Sequence, residues 1–392
     1  MDRFPLRPAI LALALGWAFP AGAAELDRLA AAVAGRFEFP GAILLVSTPE
    51  GSETASFGVA NLATGAPVTA DTRFHVASVG KVVTAVAALQ LVEAGTLSLD
   101  TPVRPFVDNS QAPRLPNIET ATLGRLLSHT SGLPDCLRNG SFSLPEHPSI
   151  RWTASDALRF GHCRPPTAPG AYAYSNTNYI LLGHILELRD GADLATVLDR
   201  RVLAPLGMTS SSGAVSPADP LLAHGYRRAD DKGRRQDASL LAWSSALGDA
   251  PLTTTAADLE RLFASLFRPG GQHLLGPALL ADMAVERGHD DDEGYGLGLQ
   301  RVVGDAGLRL GHSGRFAGFA AEAWYYPERD RIVILLANGD EHTSDDPMDM
   351  IEAALFPIAL CRTDDRSARI GENAADRPQG GTSSDACHGR DG

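Results

Sequence analysis

A chain of 392 residues, 44% hydrophobic and 21% charged, has the balance of an ordinary soluble globular protein, with length for one large composite domain or two smaller ones. Its formal net charge of -13 at pH 7 offers no basic footprint for nucleic acid. The cysteines Cys136, Cys163, Cys361 and Cys387 form no CxxC pair, which argues against a zinc site or a redox motif.

In chain order, residues 1–24 read as a secretory signal. Arg3 and Arg7 precede an apolar run from Ala9 to Phe19, and Ala21, Gly22, Ala23 and Ala24 are small residues of the kind a signal peptidase accepts. The run is too short to span a bilayer as a helix. The expectation is therefore a secreted or periplasmic protein with no stable membrane span once the signal is cleaved. Export permits disulfides, with Cys136–Cys163 the favoured local bridge and Cys361–Cys387 a weaker one. Spacing alone does not decide the pairing.

A short amphipathic helix is predicted over Glu25–Phe37. Strands follow at Gly41–Ser47 and Thr54–Ala60, with Pro49, Glu50 and Gly51 turning between them. The segment Val79 to Ala94 is too long for a strand, is apolar nearly all round and stops at Gly95, which predicts a buried helix. Further helices are predicted at Leu123–Ser128, Ala154–Gly161, Asn178–Arg189 and Leu194–Val202, then over Thr255–Phe267 with Thr255 as its cap. Strand patterns return at Leu308–His312, Glu322–Tyr326 and Arg331–Asn338, before a helix over Met348–Phe356. Strands at both ends with helices between them predict an α/β fold. One sheet is closed by both chain ends, and a helical lobe over about residues 76–225 is inserted, with the cleft between sheet and lobe. The domain is expected over residues 25–362. The polar remainder, 363–392, has a disordered composition.

Only two of the 34 basic residues are lysines. Lys232 lies in the polar run ADDKGRR, where any cation would serve. Lys81 lies in the apolar stretch FHVASVGKVVTAVAALQLVEAG. Arginine stays protonated, whereas a desolvated lysine can lose its proton. Ser78, three residues earlier, shares a helix face with it. The helix start also favours negative charge on the serine oxygen and on a substrate oxyanion nearby. The pair thus reads as a nucleophile with an amine base. A capping serine and a snorkelling lysine give the same spacing, but the scarcity of lysine elsewhere favours the chemical reading. The segment VASVG lacks the first glycine of a G-x-S-x-G elbow. No HExxH is present and the 11 histidines are scattered, so neither a metal nor a cofactor is expected.

Two segments can join Ser78. In YSNTNYILLG, just after Pro169-Gly170, Tyr174 and Asn176 point one way if the loop is extended. The tyrosine can relay protons and the amide can hold a carbonyl; alone, a helix-capping turn explains the segment as well. In GHSGRFAGF, Gly314 permits close approach of a substrate backbone, with His312 and Ser313 on the cleft edge; alone, this is an ordinary strand end.

The ordered trio SVGK, YSN and HSG resembles the penicillin-recognising serine hydrolases. These include class C β-lactamases, serine D-alanyl-D-alanine carboxypeptidases, D-aminopeptidases and related esterases. Their sister pattern is S-x-x-K, S-D-N and K-T-G. RFHVASVGK, LLSHTSGLPD and YGLGL support the match, which runs from about residue 40 to 360. The resemblance implies a β-lactamase/transpeptidase-like antiparallel sheet with flanking helices. It implies Ser78 as acylated nucleophile, Lys81 as its proton acceptor and Tyr174 as acid/base partner. Asn176 would bind the substrate amide, His312 and Ser313 would polarise the Tyr174 side and contact the substrate, and the backbone N–H groups of Ser78 and Arg315 would form an oxyanion hole. It further implies a small peptide, ester or β-lactam substrate. A D-alanyl-D-alanine carboxypeptidase or D-peptidase comes first, a broad carboxylesterase second and a β-lactamase third. A silent penicillin-binding module is the alternative of a different class.

Two departures stand out. His312 replaces the lysine of class C β-lactamases and is similar to the HTG-type carboxypeptidases. Gln300 follows YGLGL where an arginine is expected to hold a substrate carboxylate. Arg315, on the same strand face as Ser313, is the candidate substitute, since a guanidinium grips a carboxylate in two-pronged fashion.

Overall fold

The structure, a computed structural model, describes residues 23–136, 151–160, 164–213, 218–228, 233–244, 246–291, 293–316, 318–339 and 345–357. Residues 1–22 of the expected signal, the 363–392 segment, Lys232 and three of the four cysteines lie outside the described residues. Cys136 is disulfide-bonded.

The long apolar runs at the two ends of the domain pair with each other. β1 (Gly41–Thr48) and β13 (Arg331–Ala337) run antiparallel, with Ala42 opposite Ala337 and Ser47 opposite Ile332. Around this seam the sheet is ordered β3 (Ala66–Pro67), β2 (Gly51–Asn61), β1, β13, β12 (Phe319–Tyr326), β11 (Gly307–Phe316), β10 (Gln300–Gly304), β9 (Glu293–Tyr295) and β8 (Gly288–Asp290). Every pairing is antiparallel. Two small ladders join β4 (Phe74–His75) to β7 (Thr253–Thr254), and β5 (Tyr226–Arg228) to β6 (Arg235–Asp237).

Side chains alternate across a strand, so each run feeds two cores. Ala42, Leu44, Val46, Ala320, Trp324, Val333 and Leu335 pack in one core with α1 (Ala23–Arg36) and α10 (Pro347–Leu355). Ile43, Leu45, Ala321, Ala323, Ile332 and Ile334 pack in the other, against α2 (Gly80–Glu93) and the lobe. The lobe carries α3 (Leu123–Leu127), α4 (Ala154–Phe160), α5 (Asn176–Asp190) and α6 (Leu194–Leu198). α7 (Ser239–Ser244), α8 (Ala256–Phe267) and α9 (Pro277–Met283) follow. α2 is buried continuously from Gly80 to Leu89, which is why its sequence is apolar on every side.

Several bounds differ from the sequence reading, and β2, β11 and β12 extend beyond the strands read at Thr54–Ala60, Leu308–His312 and Glu322–Tyr326. α5 begins at Asn176 rather than Asn178, and ends on Gly191 in the left-handed region at φ 64°. The helix read over Leu194–Val202 stops at Leu198 and continues as a π turn over Asp199–Leu203. β3 to β10 are additional strands, and two of them, β8 (GHD) and β9 (EGY), are too short to carry an alternation signal. Thr255 caps α8 as expected, accepting from the Asp258 N–H.

Candidate active site

Ser78 sits in a short 3-10 turn, Ala77–Val79, that runs straight into α2. Ala77 holds φ at 46°, an uncommon conformation for a residue with a Cβ. His75 braces the turn. Its Nδ1 accepts from the Ala77 N–H at 3.2 Å, so its proton lies on Nε2, 3.1 Å from the Ala250 carbonyl. Burial lowers its pKa to about 4, so the brace is neutral near pH 7. The sequence reading passed over His75, because a lone histidine beside a strand carries no signal of its own.

Lys81 is fully buried. Its Nζ lies 2.9 Å from Ser78 Oγ, 2.9 Å from Asn176 Oδ1 and 2.8 Å from the Asp249 carbonyl oxygen. The last two are pure acceptors and take two N–H bonds. The remaining direction on nitrogen faces Ser78, and it serves a third N–H or a lone pair equally. The amine also lies 5.1 Å from the Tyr174 ring centroid and 5.6 Å from that of Tyr179. The Asp249 carboxyl is buried as well. Burial raises its pKa to about 6, and the charge of Lys81 opposes that rise.

Tyr174 completes the group, its hydroxyl sharing a hydrogen bond with Ser78. Burial raises its pKa far above the usual phenol value, so it is a proton donor at neutral pH. The Tyr174-Ser175-Asn176 segment is clamped by His129, from LLSHTSGLPD, which is fully buried with φ at 56°. His129 Nδ1 accepts from the Ser175 N–H at 3.3 Å and meets Asn178 Nδ2 at 3.1 Å. Its ring lies 4.3 Å from that of Tyr174 and 4.7 Å from that of Tyr295. Burial, then the charge of Lys81, lowers its pKa well below the usual histidine value.

His312 faces the same group. Its Nε2 meets the Tyr295 hydroxyl at 3.0 Å and its Nδ1 the Ser313 carbonyl at 2.6 Å, which puts the proton on Nδ1. Burial first, and the charge of Lys81 second, lower its pKa to about 3. The position that holds a cation in class C β-lactamases is therefore a neutral ring here.

Gly314 is pressed against the Ser78 turn. A Cβ built there would lie 2.7 Å from the Val76 oxygen and 2.8 Å from the Ser78 nitrogen.

Ser313 and Arg315 leave β11 on the opposite face from Gly314, because strand side chains alternate. Ser313 pairs with Glu322 on β12, on the face of Ala320 and Trp324. The geometry thus gathers Ser78, Lys81, Tyr174, Asn176 and His312 into one cluster and sets Gly314 beneath it. It directs the Arg315 side chain toward Glu322 instead of toward Ser78.

Glu322 is 2% exposed and accepts from Trp324 Nε1 at 2.8 Å. Burial raises its pKa to about 8, partly offset by Arg315 and Arg309. Between pH 4.5 and 8 the folded chain keeps a proton that the unfolded chain releases, so this group erodes stability as pH rises through that window. Glu322→Gln keeps the shape and the acceptor without the ionisation. Its stability relative to wild type is expected to increase steadily from pH 4.5 to 8 in urea melts; a pH-independent difference would reject the assignment.

Among the described residues, no group of three or more His, Cys, Asp or Glu is placed to hold a metal ion, and no helix is long and apolar enough to cross a membrane.

A two-ended sheet, a buried S-x-x-K helix start and a facing HSG strand define a β-lactamase-like fold with a serine at its cleft. The chain belongs to the beta-lactamase family, whose model matches residues 26–356. It is 35% identical to penicillin-binding protein 4 of Amycolatopsis lactamdurans over 176 residues, 44% of this chain and 44% of that protein. It is 26% identical to a D-aminopeptidase of Cereibacter sphaeroides over 343 residues, 84% of this chain and 63% of that one. The chain thus spans less than two thirds of each of these curated relatives. Among solved structures, a penicillin-binding protein from Bacillus halodurans superposes with a TM-score of 0.69 at 28% identity, over 83% of this chain and 97% of that one.

Proposed function

We propose that this chain is a serine acyl hydrolase that works through an acyl-enzyme on Ser78 and cleaves peptides or amides of D-amino acids. The observation that carries this reading is the 2.9 Å contact between Lys81 Nζ, which is fully buried, and Ser78 Oγ, which is part-exposed. Two N–H bonds of a neutral amine satisfy Asn176 Oδ1 and the Asp249 carbonyl, and its lone pair receives the Ser78 proton. The serine oxygen then bonds to the substrate carbonyl carbon.

The oxyanion that forms sits between the backbone N–H groups of Ser78 and Arg315. The Ser313 N–H points off β11 toward Gln300, and strand N–H directions alternate, so the Arg315 N–H points the same way. The pairing of β10 with β11 ends at Gly311, which leaves that edge open near Ser78. Tyr174 gives its proton to the leaving amine and is replenished from Lys81. Water, giving its proton to the same pair, then releases the acid and restores Ser78. Asn176 and His312 hold Lys81 and the Tyr174 side in place.

Support for D-amino-acid substrates comes from the D-aminopeptidase among the relatives and from the neutral His312 where class C β-lactamases carry a cation. In this reading residues 1–24 direct export, residues 25–362 form the working domain, and the enzyme acts outside the cytoplasm.

Labelling tests the reading. A fluorophosphonate or fluorescent penicillin is expected to modify Ser78 of the wild type, located by peptide mass mapping. Ser78→Ala should take no label and hydrolyse neither D-amino-acid amides, D,D-peptides nor p-nitrophenyl esters. A folded wild type that takes no label, or a Ser78→Ala variant that retains turnover, would sink the reading.

A further inference from the structure

The cleft continues past Ser78 along the open edge of β11, and the group that caps this edge is Gln300. Its Oε1 accepts from the Ser313 N–H at 2.6 Å, while its Nε2 donates to Glu293 Oε1 at 2.8 Å. These two bonds in series set a carboxylate beside Ser313. Glu293 also hydrogen-bonds with Tyr172, and its charge reaches Tyr174, which ties it to the Tyr174 side of the site.

The guanidinium groups nearby make their direct contacts elsewhere, although the Arg309 charge also acts on Glu293. Arg309 is held by Glu352 at 2.6 Å and Asp346 at 3.0 Å, over the Trp324 ring. Arg301 donates to the Ala284 carbonyl at 2.6 Å, and the Arg315 charge acts on Glu322. The group bonded directly to Gln300 at this end is thus a carboxylate.

We propose that Glu293, positioned by Gln300, selects substrates whose group beside Ser313 is an ammonium or is uncharged, and rejects a free carboxylate there. The inference rests on the Ser78 acyl-enzyme reading and narrows its substrate class. A peptide ending in a free D-alanine carboxylate meets a like charge at this point, and like charges in a partly desolvated site discriminate strongly. An amine-bearing amide meets an opposite charge. The carboxypeptidase expectation accordingly yields to an amidase-like preference for a C-terminus that carries no free carboxylate, and Arg315 is released from the role of carboxylate clamp.

Three matched peptides test this: diacetyl-Lys-D-Ala-D-Ala, its carboxamide and its 2-aminoethylamide. The wild type is expected to rank them 2-aminoethylamide, carboxamide, free acid by kcat/KM, with about five- to tenfold between steps. Glu293→Gln keeps an acceptor for Gln300 but removes the charge. Its ratio of kcat/KM between the two charged peptides should collapse toward one. A wild type that prefers the free acid, or a variant in which all three rates fall with the ratio unchanged, overturns the proposal. Should no peptide be cleaved, the D-peptide reading fails separately. Charge preference is then read from inhibition of ester turnover by 3-aminomethyl-, 3-methyl- and 3-carboxyphenylboronic acids, which add to the serine. The order amine, methyl, carboxyl upholds the proposal, and the reverse order or none rejects it.

Discussion

Lys81→Arg is expected to lower kcat by about three orders of magnitude or more on any ester or amide the wild type cleaves. The reason is chemical as well as steric. Three oxygens lie within 2.9 Å of Nζ, on three different parts of the chain: the Ser78 turn, the start of α5 and the loop before β7. A guanidinium is larger than this space and stays protonated, so it cannot take the serine proton. A second variant, Lys81→Met, keeps the apolar stem and deletes the nitrogen. It leaves Asn176 Oδ1 and the Asp249 carbonyl without their donor, at about 1–3 kcal/mol of stability each. Both variants should therefore lose activity, and Lys81→Met should also melt earlier. Circular dichroism and thermal melts beside the kinetics separate the two effects. An arginine variant within tenfold of wild type would remove Lys81 from the mechanism.

The sheet was legible because β1 and β13 are buried on both faces and therefore read as unbroken apolar runs. α2 was legible for the same reason, and its one buried charge, Lys81, stood out against that background. Helix ends were legible where a capping side chain marks them, as at Thr255. They were not where the cap is absent: Ser175 makes no side-chain capping bond, and α5 starts two residues before its apolar pattern does. The site was legible as its motif residues and illegible as its supports. His75 and His129 hold the Ser78 turn and the Tyr174 segment through neutral ring nitrogens, and nothing in the spacing of a lone histidine reveals this. Arg315 shows the opposite limit. Its shared face with Ser313 follows from strand period alone, but which face looks toward Ser78 depends on how the turn before α2 crosses β11. Gln300 and Glu293 are brought together by the β9–β10 hairpin, whose strands are too short to announce it.

The crossing of the Ser78 turn over β11 makes Gly314 a demanding position beside the cluster, and Gly314→Ala should lower kcat by about 100-fold or more while the fold survives. Gly314 is not in the left-handed region, so alanine meets no backbone objection there. The objection is space: the added carbon would lie 2.7 Å from the Val76 oxygen, 2.8 Å from the Ser78 nitrogen and 3.1 Å from the Ala77 Cβ. The two closest are backbone atoms, which cannot rotate aside as a long side chain can. The turn and the strand must part, and the Ser78 N–H moves with the turn, away from the Arg315 N–H and from Lys81. The sheet itself keeps its core, since the residues packed on either side of β1 and β13 are untouched. Loss should therefore fall on kcat more than on KM, and be deeper for Gly314→Val. Gly35→Ala is the control, because nothing lies within 4 Å of its added carbon and α1 gains a better helix former. If Gly314→Ala turns over like wild type, the turn can retreat from β11 without separating Ser78 from its partners, and the close contact between them is packing with no hold on the chemistry.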